Sequence, residues 1–401
     1  MVALSACAAT DTSSASKQAS GATVTPATAA MPATAVTPES PHPSSAATHT
    51  KGTAGSSVAA IGTSATAVTP AAIVPAAATS DATVYGISAP ELLDDSQSIQ
   101  VEQLKAMKAM GVTSVRLDAD WSSGQPSGPG SYDWTSLDQV VASIQEVGLS
   151  ADFIIDGCPS WAAVSGAQGD EFAQPASSAA FAAWAGAVAA RYGARGVNDF
   201  EIWNEPNISE FWEPKPDPAA YTADLVAAYA AIKAVDPSAI VISGGLAPAA
   251  DTSTSYDPRT FLEDMYEDGA KGSFDGVGDH PYSYPAAPDD DTLGAWSEMS
   301  ETSPSLRSIM IENGDSAKKI WITEYGAPTT GPNAVSETDQ STELVQAISQ
   351  VTQLSWIGSF YIYTWSDLAT SPAEDNGFGL LAEDNAQKPA YAAVTAALAT
   401  K

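Results

Sequence analysis

From residue 82 onward the chain repeats one pattern. A short run of apolar, often β-branched residues is followed by a longer, Ala-rich stretch whose apolar positions recur every three or four residues. The short runs predict strands and the longer stretches predict helices. Eight strands are predicted, at 83–87, 114–117, 151–155, 199–203, 240–243, 276–278, 320–323 and 360–364. Between them, Leu104, Met107 and Met110 mark one helix face, stopped by Gly111. Leu137, Val140, Val141, Ile144 and Val147 mark the next, closed by Gly148. Phe181, Trp184 and Val188 form a third stripe, and residues 225–235 an Ala-rich fourth that ends at Asp236-Pro237. These Met and aromatic stripes are read as core. Eight strands alternating with helices predict an α/β fold, a (β/α)8 TIM barrel. The competing doubly wound sheet usually carries a Gly-rich turn after its first strand, and Gly86-Ile87-Ser88-Ala89-Pro90 is not one.

In such a barrel, functional residues gather where strands end at their C-terminal side. Arg116, Asp118, Asn204, Glu205, His280, Tyr282, Glu324 and Trp365 all fall there. Composition divides the chain in two. Residues 1–80 are mostly Ala, Thr, Ser and Pro, and their four charges (Asp11, Lys17, Glu39, Lys51) cancel. Such a segment buries too little apolar surface to offset its ordering entropy, so a disordered linker is expected there. All ten Trp lie beyond it, which makes 82–401 the folded part, long enough for one large domain. The net charge of −32 falls entirely beyond residue 80, one unit on Asp81 and the rest on that domain. It argues against nucleic acid and anionic membrane as partners and disfavours a highly anionic polysaccharide; otherwise it serves solubility.

The two cysteines, Cys7 and Cys158, exclude a disulfide framework, and Cys158 reads as a small buried residue. Leu4-Ser5-Ala6-Cys7 resembles a bacterial lipoprotein processing box. It implies a lipid anchor at Cys7 and an extracellular or cell-surface location, with the linker as tether. Only Met1-Val2-Ala3 precedes the box, so the charged and apolar parts of a signal peptide are expected upstream of this start. No run of about 18 apolar residues is present to span a bilayer.

Two glutamates end strand-like runs: Glu205 in Trp203-Asn204-Glu205-Pro206-Asn207, and Glu324 in Ile322-Thr323-Glu324-Tyr325-Gly326. Two carboxylates on separate strands are what cleavage of an acetal needs, one giving a proton to the leaving oxygen and the other attacking the sugar. Together these motifs resemble the retaining glycoside hydrolases of clan A, closest to the family 39 and family 5 (cellulase-like) type, over essentially all of 82–401. The resemblance implies Glu205 as acid/base and Glu324 as nucleophile. It implies that Asn204 binds the sugar 2-hydroxyl, that Arg116 keeps the nucleophile charged, and that His280 binds sugar or positions Glu205. Tyr282 would donate to Glu324; Pro281 sits between His280 and Tyr282, so Tyr284 stands as the alternative. Trp365 would form an aromatic floor under the sugar. Trp161, with Trp121, is a further subsite candidate, ahead of Trp212 and Trp296.

For Arg116 the residue-level alternative is an ion pair with Asp118 at the barrel rim. No cofactor and no metal is expected, and Asp289-Asp290-Asp291 reads as a solvated loop. The expected partner is a carbohydrate, a neutral β-glycan. The rivals are a transglycosylase on the same residues and a catalytically inactive carbohydrate-binding barrel.

Overall fold

The computed structural model describes residues 82–288, 294–367 and 377–401. The linker at 1–80, Cys7 and Asp289-Asp290-Asp291 lie outside the described residues. Eight strands are present: β1 (Val84–Ser88), β2 (Ser114–Asp118), β3 (Ser150–Ile155), β4 (Val197–Ile202), β5 (Ile240–Ser243), β6 (Gly276–Asp279), β7 (Lys319–Tyr325) and β8 (Ile357–Tyr363). Every predicted strand is found, with ends displaced by three residues at most. All neighbours pair in parallel and in chain order, and β1 bonds to both β2 and β8. The sheet is therefore a closed barrel, and the doubly wound alternative falls.

The helices form where their apolar stripes can cover the barrel. Gln97–Ala109 buries Leu104 and Met107, and Thr135–Val147 buries Leu137, Val140, Val141 and Ile144. Gly148 ends the second with φ 74°, a left-handed conformation that costs glycine little. Ser178–Tyr192 and Pro218–Val235 start at Ser177 and Asp217, whose side chains accept from the backbone N–H of Ala180 and Ala220. Outward-facing strand residues such as Phe153, Phe200, Ile202 and Ile322 join these helices in one continuous core.

The barrel wall is filled by large rings set over glycines. Trp321 of β7 lies across Gly276 of β6 and Gly358 of β8, and Tyr361 of β8 lies over Gly86 of β1. A Cβ at Gly276 would meet the Trp321 ring at 2.2 Å. Gly276→Ala is therefore expected to destabilise the protein by about 1–3 kcal/mol through overpacking, read as a lower midpoint of urea unfolding.

The fold also buries carboxyls away from the barrel mouth. Burial raises Asp199, Asp224 and Glu343 each to about 7. Burial, with Glu201 and Asp199 nearby, pushes Asp152 well above the usual carboxylate range. Each of these groups holds its proton more tightly folded than unfolded. The folded chain therefore carries extra protons between about pH 4, the unfolded value, and about pH 7. Stability falls as pH rises through that window. The melting temperature is expected to be higher at mildly acidic pH than at mildly alkaline pH; a flat profile would show that these carboxyls ionise freely in the fold.

Candidate active site

Successive residues of a strand face opposite sides, so Thr323 and Glu324 should not both point into the barrel. A register shift changes this. Ile322 pairs with Phe360, and Tyr325 pairs with Ile362, so three steps along β7 oppose two along β8. The extra residue is a β-bulge. It lets Thr323 and Glu324 both face inward while Tyr325 returns to the outer core. At the end of β4 the backbone is re-aimed by another device. Trp203 and Glu205 have φ of 70° and 44°, left-handed conformations that cost of order 1–3 kcal/mol each outside glycine.

Tertiary contacts hold this turn. The N–H of Trp203 donates to the Ile155 carbonyl at 3.0 Å, its indole N–H donates to the Phe211 carbonyl, and its ring packs against Trp212. The N–H of Glu205 donates to the Gly245 carbonyl at 3.0 Å. Asn207, the last residue of the motif, exchanges hydrogen bonds with the Ala247 backbone at 2.8 and 2.9 Å. The loop after β5 can approach this closely because it begins Gly244-Gly245. A Cβ on Gly245 would meet His280 Nε2 at 2.2 Å and Thr323 Oγ1 at 2.5 Å.

Arg116, 1% exposed, sits at the centre. Its Nε donates to Glu201 Oε2 at 2.6 Å, its Nη1 to Glu324 Oε1 at 2.6 Å and to Ser88 Oγ at 3.2 Å, and its Nη2 to Asn204 Oδ1 at 2.8 Å. Burial opposes its charge, but Glu201 and Glu324 more than compensate and hold it protonated. Arg116 thus turns into the barrel and makes no ion pair with Asp118 among the described residues. Tyr282 Oη donates to the other oxygen of Glu324 at 2.7 Å. Burial and the Glu324 charge keep that phenol from ionising.

The hydrogen-bond wiring fixes where the site's mobile proton lies. Glu201 Oε1 accepts from the Gly245 N–H at 2.7 Å and from the Thr323 hydroxyl at 3.0 Å. Thr323 has one hydroxyl proton, so toward His280 Nε2, 3.0 Å away, its oxygen must accept. His280 is completely buried, and burial lowers its pKa. A neutral ring with its proton on Nε2 presents a bare Nδ1 to Glu205 Oε1 at 2.8 Å. Glu205 must then be the donor, as a protonated carboxyl. Burial raises both glutamates above the ordinary carboxylate value. Arg116 and Tyr282 counter that rise at Glu324, whereas among the described residues His280 is the only side chain bonded to Glu205. Of the two, Glu324 is the one set up to carry the charge.

The structure thus brings together Arg116, Asn204, Glu205, His280, Tyr282 and Glu324. Tyr284 packs edge-on against Tyr282 rather than replacing it at Glu324. Trp365 follows β8, 2% exposed, with its ring 5.9 Å from Tyr391 and its indole N–H without a partner among the described residues. Trp161 stands edge-on to Trp121 at 5.4 Å and donates to the Gln125 carbonyl, with no hydrogen bond to the Arg116 network. Trp121 and Trp212 are fully buried, and Trp296 donates to Gln350 in the helical layer.

Sequence reasoning passed over Glu201, Thr323 and the Gly244-Gly245 pair. One signal was available for Glu201: a charged residue inside a buried strand, at the inward-facing parity, needs a buried partner of opposite sign. Glu205, His280 and Glu324 also bring one ligand atom each within 4.8 Å of one another. A metal there would have to displace the Glu205–His280 bond and sit beside the Arg116 cation, so the donor set fits a cation poorly.

A closed parallel barrel that delivers two buried carboxyls from β4 and β7 into one network is the architecture of a clan A glycoside hydrolase. Residues 77–359 match the Cellulase family (glycosyl hydrolase family 5), and the chain belongs to that family. Among solved structures the fold is similar to a family 39 glycoside hydrolase from the gut symbiont Bacteroides cellulosilyticus WH2. The TM-score is 0.62 at 22% identity, over 78% of this chain and 63% of that one. It is similar also to a GH39 β-xylosidase from Caulobacter crescentus (TM-score 0.56, 22% identity, 79% of this chain and 71% of that one). A GH5_18 protein from Streptomyces cattleya, in complex with GlcNAc, gives a TM-score of 0.58 at 17% identity, over 79% of this chain and 80% of that one. At these identities the likeness is one of fold. The chain spans less than two thirds of the length of the Bacteroides protein. No curated protein matches it significantly.

The Arg116 network yields a stability prediction. Arg116→Met would strand Glu201 and Glu324 as buried charges without their cation. A loss of about 3–5 kcal/mol is expected, measured by chemical denaturation at neutral pH. A loss below about 1 kcal/mol would mean that the carboxyls neutralise themselves by taking up protons.

Proposed function

We propose that the chain is a retaining β-glycosidase acting by double displacement, with Glu324 as nucleophile and Glu205 as acid/base. One observation carries this reading: a carboxyl oxygen of Glu205 and one of Glu324 lie within 4.8 Å. That is in keeping with the roughly 5–5.5 Å separation of retaining enzymes and short of the about 6.5–9.5 Å found in inverting ones.

In the first step the Glu324 carboxylate attacks the anomeric carbon. The glycosidic C–O bond breaks, and the Glu205 carboxyl gives its proton to the departing oxygen. Arg116 and Tyr282 hold the two Glu324 oxygens, so the nucleophile is oriented before substrate arrives. Asn204, fixed by Arg116 through its Oδ1, has its amide NH2 left to donate to the sugar 2-hydroxyl. Once Glu324 is an ester its negative charge is gone, and with it one of the contributions, after burial, that hold Glu205 protonated. Glu205 can then take a proton from water as the water oxygen attacks the anomeric carbon and releases Glu324.

Reducing-end release from β-glucans, xylans, mannans and bacterial exopolysaccharides should be compared for wild type, Glu205→Gln and Glu324→Gln. Loss of about 10²–10⁴-fold is expected for Glu205→Gln and at least as much for Glu324→Gln. NMR of the first-formed anomer should show retention; inversion, or activity surviving in Glu324→Gln, would refute the mechanism. The rate should also fall at alkaline pH as Glu205 ionises, and this limb should be missing from the residual activity of Glu205→Gln.

A further inference from the structure

Above β1, β2 and β3 the structure holds a cavity of about 480 Å³, a volume typical of small-molecule sites. Its walls come from the segments that follow those three strands. Its titratable lining is wholly acidic: Glu91, Asp94, Asp118, Asp120, Asp133, Asp156 and Glu171 contribute carboxyls, and among the described residues no Lys, Arg or His lines it. The cavity adjoins the reaction centre through β2, because Asp118 lies two residues beyond Arg116, which grips Glu324.

These carboxyls differ in what occupies them. Asp120 is in use: it caps the short helix Trp121–Gly124, accepting from the N–H groups and hydroxyls of Ser122 and Ser123. Asp156 is not. It follows β3 directly and is 3% exposed, and its carboxyl receives no hydrogen bond from any described protein group. Glu91 adds a buried oxygen, Oε1, that also has no partner among the described residues. A buried carboxyl without a donor costs free energy that a well-placed ligand recovers. Burial raises Asp156 well above the usual carboxylate range and Asp118 to about 6. Both would therefore gain from a cation that lets them ionise.

The shape of the cluster selects the kind of cation. A calcium-like ion needs six to eight oxygens converging at about 2.3–2.6 Å. Among the described residues, the one acidic group with converging ligand atoms is Glu205, His280 and Glu324; the cavity's carboxyls are spread around its walls. Dispersed carboxyls around a space of ligand size match an organic ammonium, with Asp156 as its charge-assisted acceptor.

We propose that this cavity is a sugar subsite for a hexosamine bearing a free amine, with Asp156 receiving the ammonium group, and that the substrate is a β-linked glycan containing de-N-acetylated amino sugar. This rests on the glycosidase reading for the position of the glycan, and it replaces the expectation of a neutral one. The net charge of −32 suits a polycationic chain as partner.

Binding is measured by calorimetry on full-length Glu324→Gln protein, in mildly acidic buffer, with tetraglucosamine, its fully N-acetylated counterpart and cellotetraose. Tetraglucosamine is expected to bind about tenfold or more tightly than either neutral sugar. Adding Asp156→Asn should abolish most of that advantage and leave the neutral sugars within about twofold; Asp156→Ser serves if the first variant fails to fold. Equal affinities for the three sugars, or an advantage that survives at Asp156, would overturn the subsite. So would saturable calcium binding lost in Asp156→Asn with no preference for the amine. Wild-type hydrolysis of neutral glycans without such a preference would sink the subsite and spare the glycosidase. An amine preference in a chain that cleaves none of these glycans would do the reverse.

Discussion

One buried cation organises the upper barrel. Arg116 bonds to side chains from β1, β7 and the end of β4, and to Glu201 within β4. Desolvating a guanidinium is expensive, and only fixed, short, charge-assisted bonds offset it. The offset is large here because two carboxylates face Arg116 and its fork fits both. The same arrangement gives Glu201 and Glu324 unequal tasks. Glu201 is closed off, with its other oxygen taken by Gly245 and Thr323. Glu324 keeps Oε2 toward Tyr282 and the mouth of the barrel.

From Glu201 the order propagates outward. Thr323 is compelled to donate to Glu201, His280 to donate to Thr323, and Glu205 to donate to His280. A threonine with no role in bond cleavage thereby decides which carboxyl carries the proton. Proton placement rests on the geometry of acceptors as much as on burial, because burial alone raises both glutamates.

The barrel and most of this cluster were legible in the sequence. Apolar runs of strand length separated by amphipathic stretches left few alternatives to eight parallel strands, and polar residues at strand ends marked the mouth. Arg116, Asn204, His280, Tyr282 and Glu324 sit where those rules put them. Glu201 and Thr323 were hidden because they lie within strands whose hydrophobicity reads as plain core. Their polarity becomes meaningful only once the inward face of each strand is known. The Gly244-Gly245 approach was hidden for a different reason: its necessity comes from His280 and Thr323, far away in sequence. The acidic cavity was missed because its carboxyls come from segments after three different strands, and one of them, Asp120, looks locally like an ordinary helix cap.

The bulge in β7 gives the site an unusual dependence on residue count. Thr323 and Glu324 share the inner face only because the strand carries one residue more than its neighbour requires. Exchanging either side chain alters one contact. Removing a single residue from the bulge would restore strict alternation, so that one of the two side chains would leave the barrel for the helical layer. The proton-setting threonine and the adjoining carboxylate are thus tied together as a spacing, which is inherited or lost as a unit.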